Sequence, residues 1–134
     1  MAINKELFVG NVAQKAIIIR DGKILVCRGI GDTVWEFPGG RLHAGEAPEE
    51  SIVREIKEEL GLDIKNVKPF RVEPSFHYKS NMHQVFIAYT CTCDTLDLVI
   101  DPTEVEEWQW VPKEELKNLP MFDDCAAVKQ SLLE

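Results

Sequence analysis

The stretch Gly40–Leu62, GRLHAGEAPEESIVREIKEELGL, decides how the rest of this chain reads. Nine positions carry it: Gly40, Glu46, Arg54, Glu55, Ile56, Glu58, Glu59, Gly61 and Leu62, spaced G-x5-E-x7-R-E-U-x-E-E-x-G-U with U a bulky aliphatic. Pro48 suits the first position of a helix, and Glu49 and Glu50 suit the positive end of its dipole. Gly61 supplies a left-handed stop. Ala47 is a poor N-cap, so the entering loop must be held by something else, for which Arg54 and Glu46 are the candidates. With about 100° per residue, Glu58 and Glu59 fall within about 60° of Glu55, while Ile52, Val53, Ile56 and Leu60 lie about 60–160° round the axis. An apolar stripe to bury therefore runs beside an acidic one. Ser51 sits among the acids, where a small side chain leaves room for an ion.

Three carboxylates within one turn repel one another, at a cost in stability. The arrangement makes sense where a hard cation sits among them, because carboxylate oxygen is the natural ligand of Mg²⁺ or Mn²⁺. The stretch has no thiol and its imidazole, His43, is read as solvent-exposed, which argues against zinc. A charged helix such as VREIKEEL alone is commonly a solvated face. With Gly40 and Glu46 in register, a chance match has odds on the order of 10⁻⁷ to 10⁻⁸.

Outward from this stretch, Val12–Ile19 and Lys23–Arg28 read as strands joined by a hairpin turn at Asp21-Gly22. Pro38-Gly39-Gly40 breaks any regular element. Val67–Val72, Gln84–Cys93 and Trp108–Val111 read as further strands. In the second of these Val85, Ile87, Tyr89 and Cys91 share one face and Phe86, Ala88, Thr90 and Thr92 the other, as in a sheet covered on both sides. Ser75–His83 reads as a loop, Pro112–Leu116 as a helix start and Cys125–Leu133 as a closing helix. The order β-β-α-β-β-β-α gives an α/β class with helices against a mixed sheet.

The 134 residues have the size of one domain, and a net charge of −8 argues against a nucleic-acid polymer as partner. It leaves room for a small phosphorylated ligand, because a bound cation can supply positive charge locally. Cys27, Cys91, Cys93 and Cys125 lack the spacing of a zinc site and read as free buried thiols of a reducing cytosol. The N-terminus shows no signal-peptide pattern and no apolar run is long enough to span a bilayer, so a cytoplasmic location and no membrane partner are expected. The oligomeric state is left open, a homodimer included.

The nine-position pattern is the Nudix box, and the chain, read as one domain over residues 1–134, resembles the Nudix hydrolases over most of its length. The EFPGG entry, the EWQWVPKEEL stretch and the final helix extend the likeness. The resemblance implies an α/β/α sandwich around a mixed sheet. It also implies attack of a metal-activated water on a phosphoanhydride, with Mg²⁺ or Mn²⁺ as cofactor and a nucleotide as small-molecule substrate. It makes Glu55, Glu58 and Glu59 metal ligands, one of the latter two also taking a proton from water. The Gly40 carbonyl is a further ligand, and Gly39 lets the backbone approach closely. Arg54 orients Glu46 or Glu55. Glu104, six residues before Trp110, is a further ligand or base, or one more solvated acid. Arg28 binds substrate phosphates, or is a plain surface arginine.

Substrate choice is carried outside the box. Met121-Phe122-Asp123-Asp124 resembles the aromatic-Pro-Asp-Asp segment of the branch that sanitises oxidised purine nucleotides, without its proline. There the ring and the acids face the base; the alternative is that an Asp caps the last helix. A purine nucleoside triphosphate, oxidised or not, hydrolysed to the monophosphate and pyrophosphate is the leading expectation. ADP-ribose is the alternative that wants a proline where His77 stands, and dinucleoside polyphosphates want a tyrosine near Tyr78. A non-catalytic nucleotide-binding regulator usually loses box acids, which are all present here.

Overall fold

A computed structural model describes residues 7–134; residues 1–6, on which the reading of the N-terminus partly rests, lie outside the described residues. The elements are β1 (Gly10–Arg20), β2 (Lys23–Gly29), β3 (Gly39–Arg41), α1 (Pro48–Leu60), β4 (Ile64–His77), β5 (Met82–Cys93), β6 (Val105–Pro112) and α2 (Ala126–Leu133), with 3₁₀ turns at Lys113–Asn118 and Asp123–Cys125. The sheet runs β4-β5-β1-β2-β6, with β3 also on β1. It is mixed: β1 and β5 are parallel, and the other pairs are antiparallel. No helix among the described residues is long and apolar enough to cross a membrane.

Alternation along β1 divides the molecule into two cores. Ala16 and Ile18 face α1, joining Ile52, Ile56, Leu60, Tyr89 and Cys91. Ala13 and Ile17 face α2, joining Phe86, Ala88, Val128 and Leu132. This is the expected sandwich, with β5 alternating as its sequence reads. Fully buried Ile52, Ile56 and Leu60 each stabilise α1 on the sheet by about 1.5–3 kcal/mol. Val53, expected in that stripe, is 38% exposed on the outer side, because α1 covers the sheet with a narrower face. All four cysteines are buried and unpaired, and burial pushes the thiols of Cys27, Cys91 and Cys125 up to about 12.

The feature that builds the site is a split between β1 and β2. These strands pair only beside their turn, at Ile19↔Ile24 and Arg20↔Lys23. Asp21 and Gly22 both have positive φ, as the two-residue turn requires. Beyond this point the strands part and Glu36–Arg41 fills the gap. Glu36 exchanges two backbone bonds of 2.8 Å with Cys27, Pro38 accepts from Ala16 N–H, and Gly39-Gly40-Arg41 pair with Lys15-Gln14-Ala13. The Pro-Gly-Gly sequence, expected to break regular structure, thus enters a strand. A Cβ on Gly39 would overlap the Gln14 carbonyl oxygen, so only glycine lets this segment lie against β1.

Three other boundaries move. The hairpin of β4 and β5 reaches through most of the expected Ser75–His83 loop, with pairs up to His77↔Met82 and Asn81 in the turn at φ 54. Pro69 and Pro74 are tolerated because β4 is an edge strand, where a missing N–H costs little. The expected helix at Pro112–Leu116 is a 3₁₀ turn, since Leu119 is held extended before Pro120. α2 begins at Ala126 with no side-chain cap, and the 3₁₀ turn before it also has none. Neither Asp123 nor Asp124 therefore serves as a cap.

Candidate active site

Arg54 organises the acidic end. Its Nε and Nη2 donate to the two carboxylate oxygens of Glu46 at 2.7 and 2.8 Å, Nη2 also reaches Glu55 at 3.3 Å, and Nη1 reaches Glu58 at 2.9 Å. The Arg54–Glu46 fork ties the loop before α1 to the helix and does the work that Ala47 cannot. The guanidinium holds the Glu46 carboxyl down at about 2. Gly61 closes the helix in the left-handed conformation, its N–H bonding the Lys57 carbonyl at 3.0 Å.

Glu55 and Glu59 come together. Burial, then the neighbouring Glu55, and more weakly Glu104, lift Glu59 to about 8, and Lys15 opposes them. The Glu55 carboxylate lies against Gly40, where a Cβ would come within 2.9 Å of its carbon and of one oxygen. That contact is the physical reason for glycine at position 40. Gly40→Ala is expected to displace Glu55 and lower kcat roughly 10- to 100-fold with little change in the far-UV circular dichroism. Wild-type kcat in this variant would show that the Glu55 position is immaterial.

Glu58 is turned away, exposed and bound to Arg54. Among the described residues no three His, Cys, Asp or Glu side chains are gathered as a metal cage. In this structure Glu55 and Glu59 lie together, while Glu58 pairs with Arg54 instead. Two crowded carboxylates and a glycine backbone offer only oxygen. They fit Mg²⁺ or Mn²⁺, because Mg²⁺ keeps several waters and shares substrate phosphates instead of needing a full protein cage. Ser51, on the same helix, is fully buried.

Beside the acids opens a cleft of about 630 Å³ that Gly40, Glu104, Phe122, Asp123 and Asp124 all line. The last three are carried there by backbone pairing. Trp35 N–H donates to Pro120 at 2.9 Å, and Phe122 N–H to Trp35 at 3.0 Å. The hairpin tip adds Phe76, Tyr78 and Lys79, with Phe76 and Tyr78 edge to face at 5.1 Å and Lys79 over the Phe122 ring at 6.0 Å. Gly39 is not among the lining residues; its place is against β1. Arg28 is also elsewhere. It is held by Glu106, by Glu107 at 2.8 Å and by the Asp32 carbonyl at 2.7 Å, so its charge is already spent on protein partners.

Sequence reasoning missed Lys15, Glu36 and Gln84. All three line the cleft, and Lys15 Nζ stands 3.6 Å from Glu36. A signal existed: lysine inside the apolar run VAQKAIII is out of place unless it has a buried partner.

Comparison with known proteins bears on the family and the fold. The family model described as NUDIX domain matches residues 11–129. An RNA pyrophosphohydrolase of Acinetobacter baylyi is 33% identical over 128 residues, covering 81% of this chain and 76% of its own. The nucleoside triphosphatase NudI of Enterobacter sp. is 29% identical over 119 residues, covering 78% and 84%. The crystal structure of a MutT NUDIX hydrolase from Burkholderia pseudomallei superposes with a TM-score of 0.78 at 24% identity, covering 90% of this chain and 95% of that one. The chain belongs to the Nudix family. It is a pyrophosphohydrolase acting on phosphoanhydride bonds, and its family generally uses divalent metal ions.

Proposed function

We propose that this enzyme hydrolyses a purine nucleoside triphosphate, oxidised or not, to the monophosphate and pyrophosphate with Mg²⁺. The observation that carries the reading is that one cleft joins Gly40 and Glu104, beside the acid pair, to Phe122, Asp123 and Asp124, and that neither Asp is used as a helix cap. Glu55, Glu59 and the Gly40 carbonyl would hold the cation, with Glu58 released from Arg54 to join them. When bound, the cation supplies a more acidic water and neutralises phosphoryl charge. Arg54 keeps Glu46 and Glu55 in place. Glu104, on the loop before β6, is the carboxylate available to take a proton from the attacking water. Phe122 offers a face for the base to stack on, and Asp123 and Asp124 accept hydrogen bonds from its N–H groups.

The test is a Mg²⁺-dependent screen of nucleoside triphosphates, their oxidised forms, ADP-ribose and dinucleoside polyphosphates, with products identified. Monophosphate plus pyrophosphate from purine triphosphates is expected. Asp123→Ala is expected to shift the purine-to-pyrimidine ratio of kcat/KM by roughly tenfold. An unchanged ratio would return Asp123 to a structural role, and turnover of ADP-ribose alone would replace the substrate. The relative named RNA pyrophosphohydrolase supports a second reading, in which the triphosphate is the 5′ end of an RNA. The net charge of −8 favours the free nucleotide, and a 5′-triphosphorylated oligonucleotide in the same screen decides between them.

A further inference from the structure

Among the described residues Lys15 is the one charged side chain buried in the sheet. Its side chain is 11% exposed, yet it lines the cleft. It lies on the β1 face of Ala13 and Ile17, toward α2, while α1, which carries Glu55 and Glu59, covers the opposite face. Gln84, on the matching face of β5, reaches Asp124 at 3.5 Å. Lys15, Glu36, Gln84 and Asp124 thus make a polar strip on an otherwise apolar face of the sheet, across the sheet from α1 and with Glu59 still within electrostatic reach of Lys15.

This strip holds a fixed donor beside two fixed acceptors. Burial acts to neutralise the Lys15 amine, but Glu36, helped by the Cys125, Asp124 and Glu59 side chains, outweighs it and keeps the ammonium charged. An ammonium donates and cannot accept. A carbonyl on the base satisfies it, whereas an amino group presents hydrogens to its hydrogens.

We propose that Lys15 is a specificity-determining residue that donates to the 6-keto oxygen of a purine while Glu36 and Asp124 accept from the adjoining N–H groups, selecting hypoxanthine- or guanine-type bases over adenine. The inference rests on the nucleoside triphosphate reading above and deepens it. It gives Lys15 no part in binding phosphate.

The experiment compares ITP and ATP, which differ in the 6-position and the N1 proton, on wild type and Lys15→Met. Wild type is expected to favour ITP in kcat/KM, and the variant to lose roughly 10- to 100-fold of that preference, because a buried donor built for a carbonyl rejects the amino analogue. A fall of equal size for both substrates would mean a phosphate or structural role and overturn the inference, as would an unchanged ratio. Wild-type binding of inosine and adenosine, which carry no phosphate, is measured beside it and does not depend on the variant folding. Inosine is expected to bind about tenfold more tightly; equal affinity overturns the inference. Wild type that turns over neither triphosphate overturns the nucleotide reading itself, an outcome distinct from turnover without base preference.

Discussion

Glu59→Gln is expected to lower kcat by at least about 100-fold, through the loss of a charged cation ligand. In the metal-free protein the same change should raise the melting temperature above pH 8. The two effects have one cause. Glu59 is partly buried, faces Glu55 and has its carboxyl raised to about 8. In the fold its charged form is therefore unfavourable, whereas the unfolded chain ionises it at the ordinary value of 4.5. Glutamine cannot ionise and relieves the strain while removing the charge the cation needs. Differential scanning fluorimetry in chelator at pH 9, with steady-state kinetics in Mg²⁺, measures both. Glu58→Gln is the contrast, because that carboxylate is exposed on Arg54 and its ion pair adds on the order of 0–1 kcal/mol at most. It should bring no rise in melting temperature. Wild-type turnover by Glu59→Gln would remove Glu59 from the metal site.

Box residues were legible because their roles are local. A helix with an acidic stripe, a left-handed stop at Gly61 and a proline start follow from spacing along one element. The place of Gly39 and Gly40 was not legible, because it depends on β1 and β2 parting beyond their turn, which strand pairing decides and spacing along one element does not. Arg28 shows the same limit in reverse. Its position at the end of a strand was read correctly, but the carboxylates that occupy it, Glu106 and Glu107, come from β6 far along the chain. Lys15 escaped because the eye reads VAQKAIII for its apolar period and discounts the residue that breaks it. Phe122–Asp124 were legible as a segment and ambiguous as a role. What narrows the role is the pairing of Trp35 with Met121, which carries the acids into the cleft and leaves α2 without a side-chain cap.

Metal removal should make the stability of this protein fall with rising pH, and Mg²⁺ should restore it most where the fall is complete. The folded carboxyl of Glu59, at about 8, lies above its unfolded value of 4.5, so the folded state holds a proton that the unfolded state has lost across that window. The stability contributed by this group is then fully present below about pH 4.5 and is lost as pH rises to about 8. A cation needs both Glu55 and Glu59 ionised, so below pH 8 its binding must displace that proton. Mg²⁺ affinity is therefore expected to strengthen by up to about tenfold per pH unit toward pH 8 and to level off above it. Calorimetric titration in two buffers of different ionisation enthalpy should find about one proton released per Mg²⁺ at pH 7 and almost none at pH 9. An affinity flat from pH 6 to pH 9 would mean that Glu59 is not displaced by the ion, and the site would then have to be built on Glu58 and Glu104, with Glu59 left as a protonated partner of Glu55.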